Sequence, residues 1–433
     1  MGERGNSQRA AARTRKMRAR SYRLMRIFII VILVSLAFLA GFVLRGHPHF
    51  LQSLGLPESI TGVPEPSTVD ASSSKKDVFN SLSMRVSEVE DILSEDSMDT
   101  INVDDATVGT MKAVGDASND PYLRYYTPER YAKLLNNNDE GYAGVGVLFS
   151  EYNGQAYVVD VFEGSPAQLE GVQIGDFVAG VNGDRSQVWS RSEVAAVLSQ
   201  EQGSTVYIDW RRPESLESSG GTEYTTSLSC EEYSEINVTS EYDEERTVGY
   251  VKVKQFTQNA AALVQAEIDS LTAQGARAFV LDLRDNPGGY LGQAIGLASL
   301  FMPGGTVVEV RTKDGQSAKP ATGQPVSSNP LVVITNKNTA AAAEVVAAAL
   351  KESQRAMVVG TNTMGKGSVQ IMHDMSFGGA LRYTAAYYLT PEGHAIDQVG
   401  VTPDVTIDAT DEGDFQKDYA MEVAGYQAAT EQP

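Results

Sequence analysis

Three short stretches of this chain hold residues that could carry acyl-transfer chemistry. Lys366 lies in Gly365-Lys366-Gly367-Ser368-Val369-Gln370, where glycines on both sides let the backbone hold the amine in a tight turn. A lysine serves as a general base when burial lowers its pKa towards neutrality. Asn286-Pro287-Gly288-Gly289 closes the stretch that begins Asp282-Leu283-Arg284-Asp285. It follows an apolar run and would open a helix, and N–H groups exposed at such a turn can hold an oxyanion. The third stretch, Asn336-Lys337-Asn338-Thr339-Ala340-Ala341-Ala342-Ala343-Glu344, leads into an apolar helical run. Cleaving a peptide needs a nucleophile, a base and oxyanion donors. A histidine triad finds little support, because His47 and His49 fall in a linker and His373 and His394 sit in no motif that would make them bases. A serine–lysine pair is the other solution to the same problem. Lys366 does not read as a phosphate-loop lysine, since the glycine spacing required before it is absent.

The elements around these stretches alternate. Ala260 to Gln274 is an amphipathic helix and Ala278-Phe279-Val280-Leu281-Asp282-Leu283 a buried strand. Pro330-Leu331-Val332-Val333-Ile334 repeats the strand and Glu344 to Leu350 the helix. That order predicts an α/β core. Val248 to Val253 alternates like an edge strand. Upstream, Val78, Leu82, Val86, Val89 and Leu93 recur at helical spacing, and Asp104 and Asp105 suit a second helix start.

Taken together, the three stretches resemble the catalytic core of the C-terminal processing, or tail-specific, serine peptidases. The resemblance extends over about residues 78–405 and includes the segment from Asp120-Pro121-Tyr122 to Thr127-Pro128-Glu129-Arg130-Tyr131, similar to that family's helical leader. It implies that Lys366 is the general base, that Gln370 orients it, and that Gly288 and Gly289 form the oxyanion turn, with the nucleophile's own amide as a second donor. It also implies a serine at position 341, where this chain has Ala341. Asn336, Thr339 and Glu344 fix that register, and residues 329–352 contain no serine to recover by a shift. Thr339 would face another side of the helix start, and Ser368 lies in the lysine's own turn. The expectation is a peptidase scaffold without normal peptidase activity, needing no metal and no cofactor.

Residues 140–213 resemble a PDZ domain. Tyr142-Ala143-Gly144-Val145-Gly146-Val147 is similar to its carboxylate-binding loop and strand, followed by Gly164-Ser165-Pro166-Ala167, Gly171-Val172-Gln173-Ile174-Gly175-Asp176, and a helix from Ser192 to Leu198. Glycines there let backbone N–H groups converge on an anion, and the next strand edge accepts a peptide as an added strand.

Charge and hydropathy bound the setting. The net charge is −21, and ten of the 35 basic residues but one of the 56 acidic ones lie in residues 1–45, so the body is more acidic still. Such a body excludes nucleic acid as a partner. Arg13, Arg15, Lys16, Arg18, Arg20, Arg23 and Arg26 precede an apolar run from Ile27 to Leu44, long enough at roughly 18 residues to span a membrane. The basic flank stays cytoplasmic and places the body outside. The single Cys230, next to Glu231 and Glu232, reads as a small buried hydrophobe. The expected organisation is a basic cytoplasmic segment (1–26), a transmembrane helix (27–44), a linker (45–76), a helical leader (77–139), the PDZ-like domain (140–213), the α/β peptidase-like core (214–408) and a tail (409–433). Its partners would be protein C-terminal tails or partly unfolded extracytoplasmic proteins, with the membrane met through the N-terminal helix. Two other functions fit the same residues: an active peptidase with a displaced nucleophile, and a PDZ scaffolding protein of the cell envelope.

Overall fold

The computed structural model describes residues 81–135, 144–231, 237–323, 325–410 and 413–430. The chain divides into two compact units, Met1–Ile101 and Asn102–Pro433. In the first, helix α1 (Leu82–Asp96) begins at Ser81, whose hydroxyl accepts the Met84 N–H, a side-chain N-cap. The segments 1–26, 27–44 and 45–76 lie outside the described residues, so the expected transmembrane helix does too. Among the described residues no helix is long and apolar enough to cross a membrane.

The second unit starts with α2 (Val103–Asp116), capped by Asn102, which accepts from the N–H groups of Asp104 and Asp105. The leader is not all helical. Between α2 and α3 (Pro128–Leu135) runs β1 (Arg124–Tyr126), which pairs antiparallel with β15 (Ala380–Leu389).

A five-stranded sheet follows, in the order β2 (Val147–Tyr152), β3 (Gln155–Val161), β4 (Phe177–Val181), β5 (Thr205–Arg212) and β6 (Thr222–Ser229). It carries α4 (Pro166–Leu169) and α5 (Arg191–Leu198). The Ser190 hydroxyl accepts from the Glu193 N–H and the Glu193 carboxylate accepts from the Ser190 N–H, closing a capping box at the start of α5. Phe149, Val158, Trp210, Leu228 and Cys230 share its core. The boundary expected at residue 213 is therefore too early. β6 pairs with β5 along its whole length, and Leu228 and Cys230 complete the same core.

The second sheet has the order β16 (Val405–Thr406), β13 (Met357–Gly360), β12 (Leu331–Thr335), β9 (Ala278–Asp282), β8 (Val248–Val253) and β7 (Val238–Asp243). It is parallel from β8 to β16, and β7 adds antiparallel. β9 and β12 are buried at every position, as expected of parallel strands covered on both faces. Helices α6 (Ala260–Gln274), α7 (Leu291–Ser299) and α8 (Ala342–Glu352) cover one face. α9 (Phe415–Thr430) covers the other through Ala420, Met421, Ala424 and Ala428. Two sequence expectations change here. β8 is an inner strand, because β7 pairs outside it. Residues 415–430 are part of the core, not a tail, because their alanine and methionine face closes the sheet.

A third, antiparallel sheet joins β1, β15, β10 (Thr306–Thr312) and β11 (Gly315–Pro320), with β14 (Ser368–Asp374) also paired to β15.

Candidate active site

Three neighbouring parallel strands deliver the three stretches. β9, β12 and β13 lie side by side, and their C-terminal ends release the turn at 283–290, the segment 336–341 and the loop 361–367. Open parallel sheets place ligand sites at that end of the strands. The first two loops are laced together. Asp285 Oδ1 accepts from the side-chain amides of Asn336 and Asn338, each at 2.8 Å, and the Ala340 N–H donates to the Asn286 carbonyl at 2.9 Å. Beneath them, buried Asp282 accepts from the Tyr250 hydroxyl at 2.6 Å and from Arg284, which also holds Asp414 ahead of α9.

Ala341 stands at the turn from β12 into α8 with φ 51° and ψ −114°. Such backbone is costly for an L-residue and collects at functional sites. From Asn338 to Leu350, Ala341 alone is not buried. Gly288 lies directly against it: a Cβ at Gly288 would be 2.9 Å from the Ala341 Cβ and 2.9 Å from the Ala342 nitrogen, and only glycine fits. At Gly289, φ is 143° and a Cβ would run into the Phe256 carbonyl.

Glu344, one turn into α8 and fully buried, ties the elbow to the lysine loop. Its Oε2 accepts from the N–H groups of Ala341 and Lys366, both at 2.8 Å. Its Oε1 accepts from the Gly365 N–H at 2.7 Å and the Thr363 hydroxyl at 2.5 Å. Burial pushes this carboxyl up to about 7 against the pull of those four donors. Two more bonds hold the loop from below, from the Gln398 N–H to the Gly365 carbonyl and from the Tyr388 N–H to the Gly367 carbonyl, both 2.7 Å.

Lys366 is partly buried. Burial lowers its ammonium to about 8, with Glu151 opposing the shift and Arg382 and Arg191 adding to it. Glu151 comes from β2 of the five-stranded domain and bonds Arg382 of β15 at 2.8 Å. Burial alone would raise the Glu151 carboxyl, but the charges of Arg382 and Lys366 and the Arg382 hydrogen bond outweigh it and hold the group at about 2. A carboxyl depressed on folding stabilises the fold above its unfolded pKa of about 4.5, and the contribution is lost as pH falls from there to about 2. We expect Glu151 to contribute about 3 kcal/mol at neutral pH by this linkage. Urea titrations at pH 5 and pH 3 check it: Glu151→Gln should lose less stability on acidification than the parent, and equal losses would disprove it.

The geometry differs from sequence expectation in two places. The Gln370 amide donates to the hydroxyls of Ser368, at 3.0 Å, and Thr384, at 3.3 Å, not to Lys366. At this step the pairing of β14 with β15 skips Ala385, which sets Gln370 opposite Thr384. Two of the expected oxyanion donors are also engaged, the Gly288 N–H by Asn286 Oδ1 at 2.9 Å and the Ala341 N–H by Glu344. The N–H groups of Gly289 and Ala342 have no hydrogen-bond partner among the described residues.

In the other candidate site, Tyr142 and Ala143 lie outside the described residues. Gly144, Val145 and Gly146 turn their carbonyls inward, onto the N–H groups of Glu231, Ala167 and Phe162. The N–H groups of Val145 and Gly146 have no partner among the described residues. Val147 opens β2, the edge of its sheet, yet β2 is buried from Val147 to Glu151.

Comparison with known proteins agrees with this architecture. Residues 247–407 match the model of peptidase family S41, and residues 157–212 match that of the PDZ domain. A carboxyl-terminal-processing protease of Picosynechococcus sp. is 34% identical over 306 residues, covering 69% of this chain and 72% of that protein. The chain belongs to the carboxyl-terminal-processing protease family. A second member, from Synechocystis sp., is 34% identical over 297 residues, covering 67% of this chain and 68% of that protein. The solved structure of a photosystem II D1 C-terminal processing protease superposes with a TM-score of 0.61 at 29% identity, covering 81% of this chain and 92% of that one.

Within this processing-protease fold the elbow, the glycine turn and the lysine loop all fall inside the S41 match. The groups that surround Lys366 and that sequence reasoning missed are Glu151, Arg382 and Tyr122. They come from the PDZ domain, the third sheet and the leader. Glu344 was visible only as a register marker, although a glutamate three residues after a helix-start position is a capping signal.

Proposed function

We propose that this chain is a membrane-anchored, extracytoplasmic processing-protease homologue that binds protein C-terminal tails and lacks the hydrolytic step. One observation carries the reading: the half-buried tip of the strained elbow, clasped to the lysine loop through Glu344, bears a methyl group where acyl transfer needs a hydroxyl. In this reading Lys366 is the base of a serine–lysine pair, and Gly289 and Ala342 are its oxyanion donors. A displaced nucleophile is disfavoured by geometry. The buried Thr339 hydroxyl donates to the Leu283 carbonyl at 2.8 Å, and the Ser368 hydroxyl accepts from Gln370.

Tail binding falls to the PDZ domain. The N–H groups of Val145 and Gly146, which have no partner among the described residues, suit a terminal carboxylate, and edge strand β2 suits an added peptide strand. The same strand carries Glu151 to Arg382 and into the field of Lys366. Opening β2 to a tail therefore disturbs the contact beside the base, which makes the PDZ domain a gate to the core cleft. The test is calorimetry on the whole extracytoplasmic part with matched free-acid and amidated peptides ending in apolar residues. Amidation removes the charge-assisted bonds and is expected to weaken binding at least about tenfold. Equal affinities would sink the tail-binding assignment.

Anchoring rests on the basic flank and the apolar run 27–44. The full-length chain is expected to stay with membranes through an alkaline carbonate wash. Recovery in the soluble fraction, or a mature start beyond Leu44, would argue against the anchor.

A further inference from the structure

Tyr122 reaches Lys366 from outside the strands that carry the three loops. It lies between α2 and β1, ahead of the PDZ domain in the chain, and is buried. Its ring centroid is 5.5 Å from the Lys366 Nζ and 5.7 Å from the Arg382 Cζ. Burial raises the pKa of its phenol far above the ordinary value, so it stays neutral. The segment is pinned to β15. Asp120 accepts the Thr384 N–H at 2.6 Å, the Thr384 hydroxyl at 2.8 Å and the Tyr122 N–H at 3.0 Å. Two residues on, Arg124 lies opposite Arg382. Because Gln370 donates to both Thr384 and Ser368, the residues Ser368, Gln370, Thr384 and Asp120 form one bonded chain from the lysine turn to the Tyr122 segment.

An aromatic face attracts an ammonium, and an apolar ring keeps water from it. We propose that Tyr122 is a positioning residue for Lys366: its ring fixes where the ammonium lies and screens it from water, so the leader segment completes the centre. The other charged groups facing Lys366 are Glu151 from β2, Arg191 from α5, Glu344 from α8 and Arg382 from β15. The charge of Asp397 also acts on Tyr122. The proposal takes Lys366 as the base only for its effect on rate, and the contact itself is tested separately.

The experiment is competitive acetylation of the full-length chain across pH, read lysine by lysine by mass spectrometry, for the parent, Tyr122→Phe and Tyr122→Leu. Tyr122→Leu is expected to raise the plateau reactivity of Lys366 about tenfold, the change that one pKa unit of protection represents, and to move its midpoint up from about 8 towards that of an ordinary lysine. Tyr122→Phe keeps the ring and should match the parent. Unchanged Lys366 labelling in folded Tyr122→Leu overturns the proposal. If that variant does not melt cooperatively, Asp120→Asn decides, since it keeps the ring but frees its anchor: raised Lys366 reactivity supports the proposal and parental reactivity overturns it. The same changes combined with Ala341→Ser separate the two readings. With Lys366 as base, Tyr122→Leu lowers kcat by about 10², within the range of general-base effects, leaves KM nearly unchanged and moves the rising limb of the pH profile upward. Altered labelling with an unmoved limb would keep the Tyr122 contact and refute Lys366 as the base.

Discussion

Ala341→Ser is expected to turn the chain into a peptidase, with a rate gain on the order of 10⁶, the usual cost of losing a serine nucleophile. The backbone for that hydroxyl is already in place. The elbow holds φ 51° with alanine, so the substitution adds one oxygen at a partly exposed position and changes no fold-defining contact. The neutral amine of Lys366 would accept the hydroxyl proton, and the resulting alkoxide would attack the scissile carbonyl. The oxyanion would fall to the N–H groups of Gly289 and Ala342. A base acts only when unprotonated. With Lys366 at about 8, activity should be low at pH 6, rise through pH 8 and level off above it. The measurements are turnover of casein or a fluorogenic peptide and fluorophosphonate labelling at position 341. Lys366→Ala in the same background should cancel the gain. Strong turnover by the unaltered chain, lost on Thr339→Ala or Ser368→Ala, would show that the nucleophile lies elsewhere.

Removing the Glu344 carboxylate should cause a large loss of stability, on the order of 4 kcal/mol for Glu344→Ala. Four donors on two segments converge on that carboxylate. Each orphaned buried donor costs about 1–3 kcal/mol, and the cavity admits water that recovers part of it. Glu344→Gln keeps the volume but turns an NH₂ towards donors, and about half that loss is expected. Urea titration gives the energies. Hydrogen exchange at the amides of residues 341, 365 and 366 locates them, since a local clasp predicts lost protection there before the rest of α8 opens. A loss below about 1 kcal/mol with those amides still protected would mean that the elbow and the lysine loop hold their places without Glu344.

Local rules made much of this molecule legible in its sequence. The runs at 278–283 and 330–334 alternate with helical stretches, and that order alone predicts an α/β core. Glycines 288 and 289 mark a turn that no other residue fits, and Lys366 between two glycines marks a held amine. The alanine at 341 is covalent structure, and no fold alters it. Each of these signals is written within a few residues, because turn geometry and side-chain periodicity are local properties of the backbone.

What surrounds Lys366 was decided only when the chain folded. Tyr122, Glu151, Glu344 and Arg382 come from four elements spread along the sequence, and their meeting depends on which strands pair. β15 pairs with β1 on one edge and with β14 on the other, which brings the leader and the lysine turn together. The contact of Glu151 with Arg382 needs the PDZ sheet to rest against the third sheet. Pairing likewise assigned β6 to the PDZ domain, put β8 inside the core sheet and closed the core with α9. A register shift in which β15 carries the extra residue Ala385 set Gln370 opposite Thr384, to whose hydroxyl it donates. Residue types and turns follow from the sequence neighbourhood, whereas partners depend on strand order, which is fixed by burying apolar surface across the whole fold.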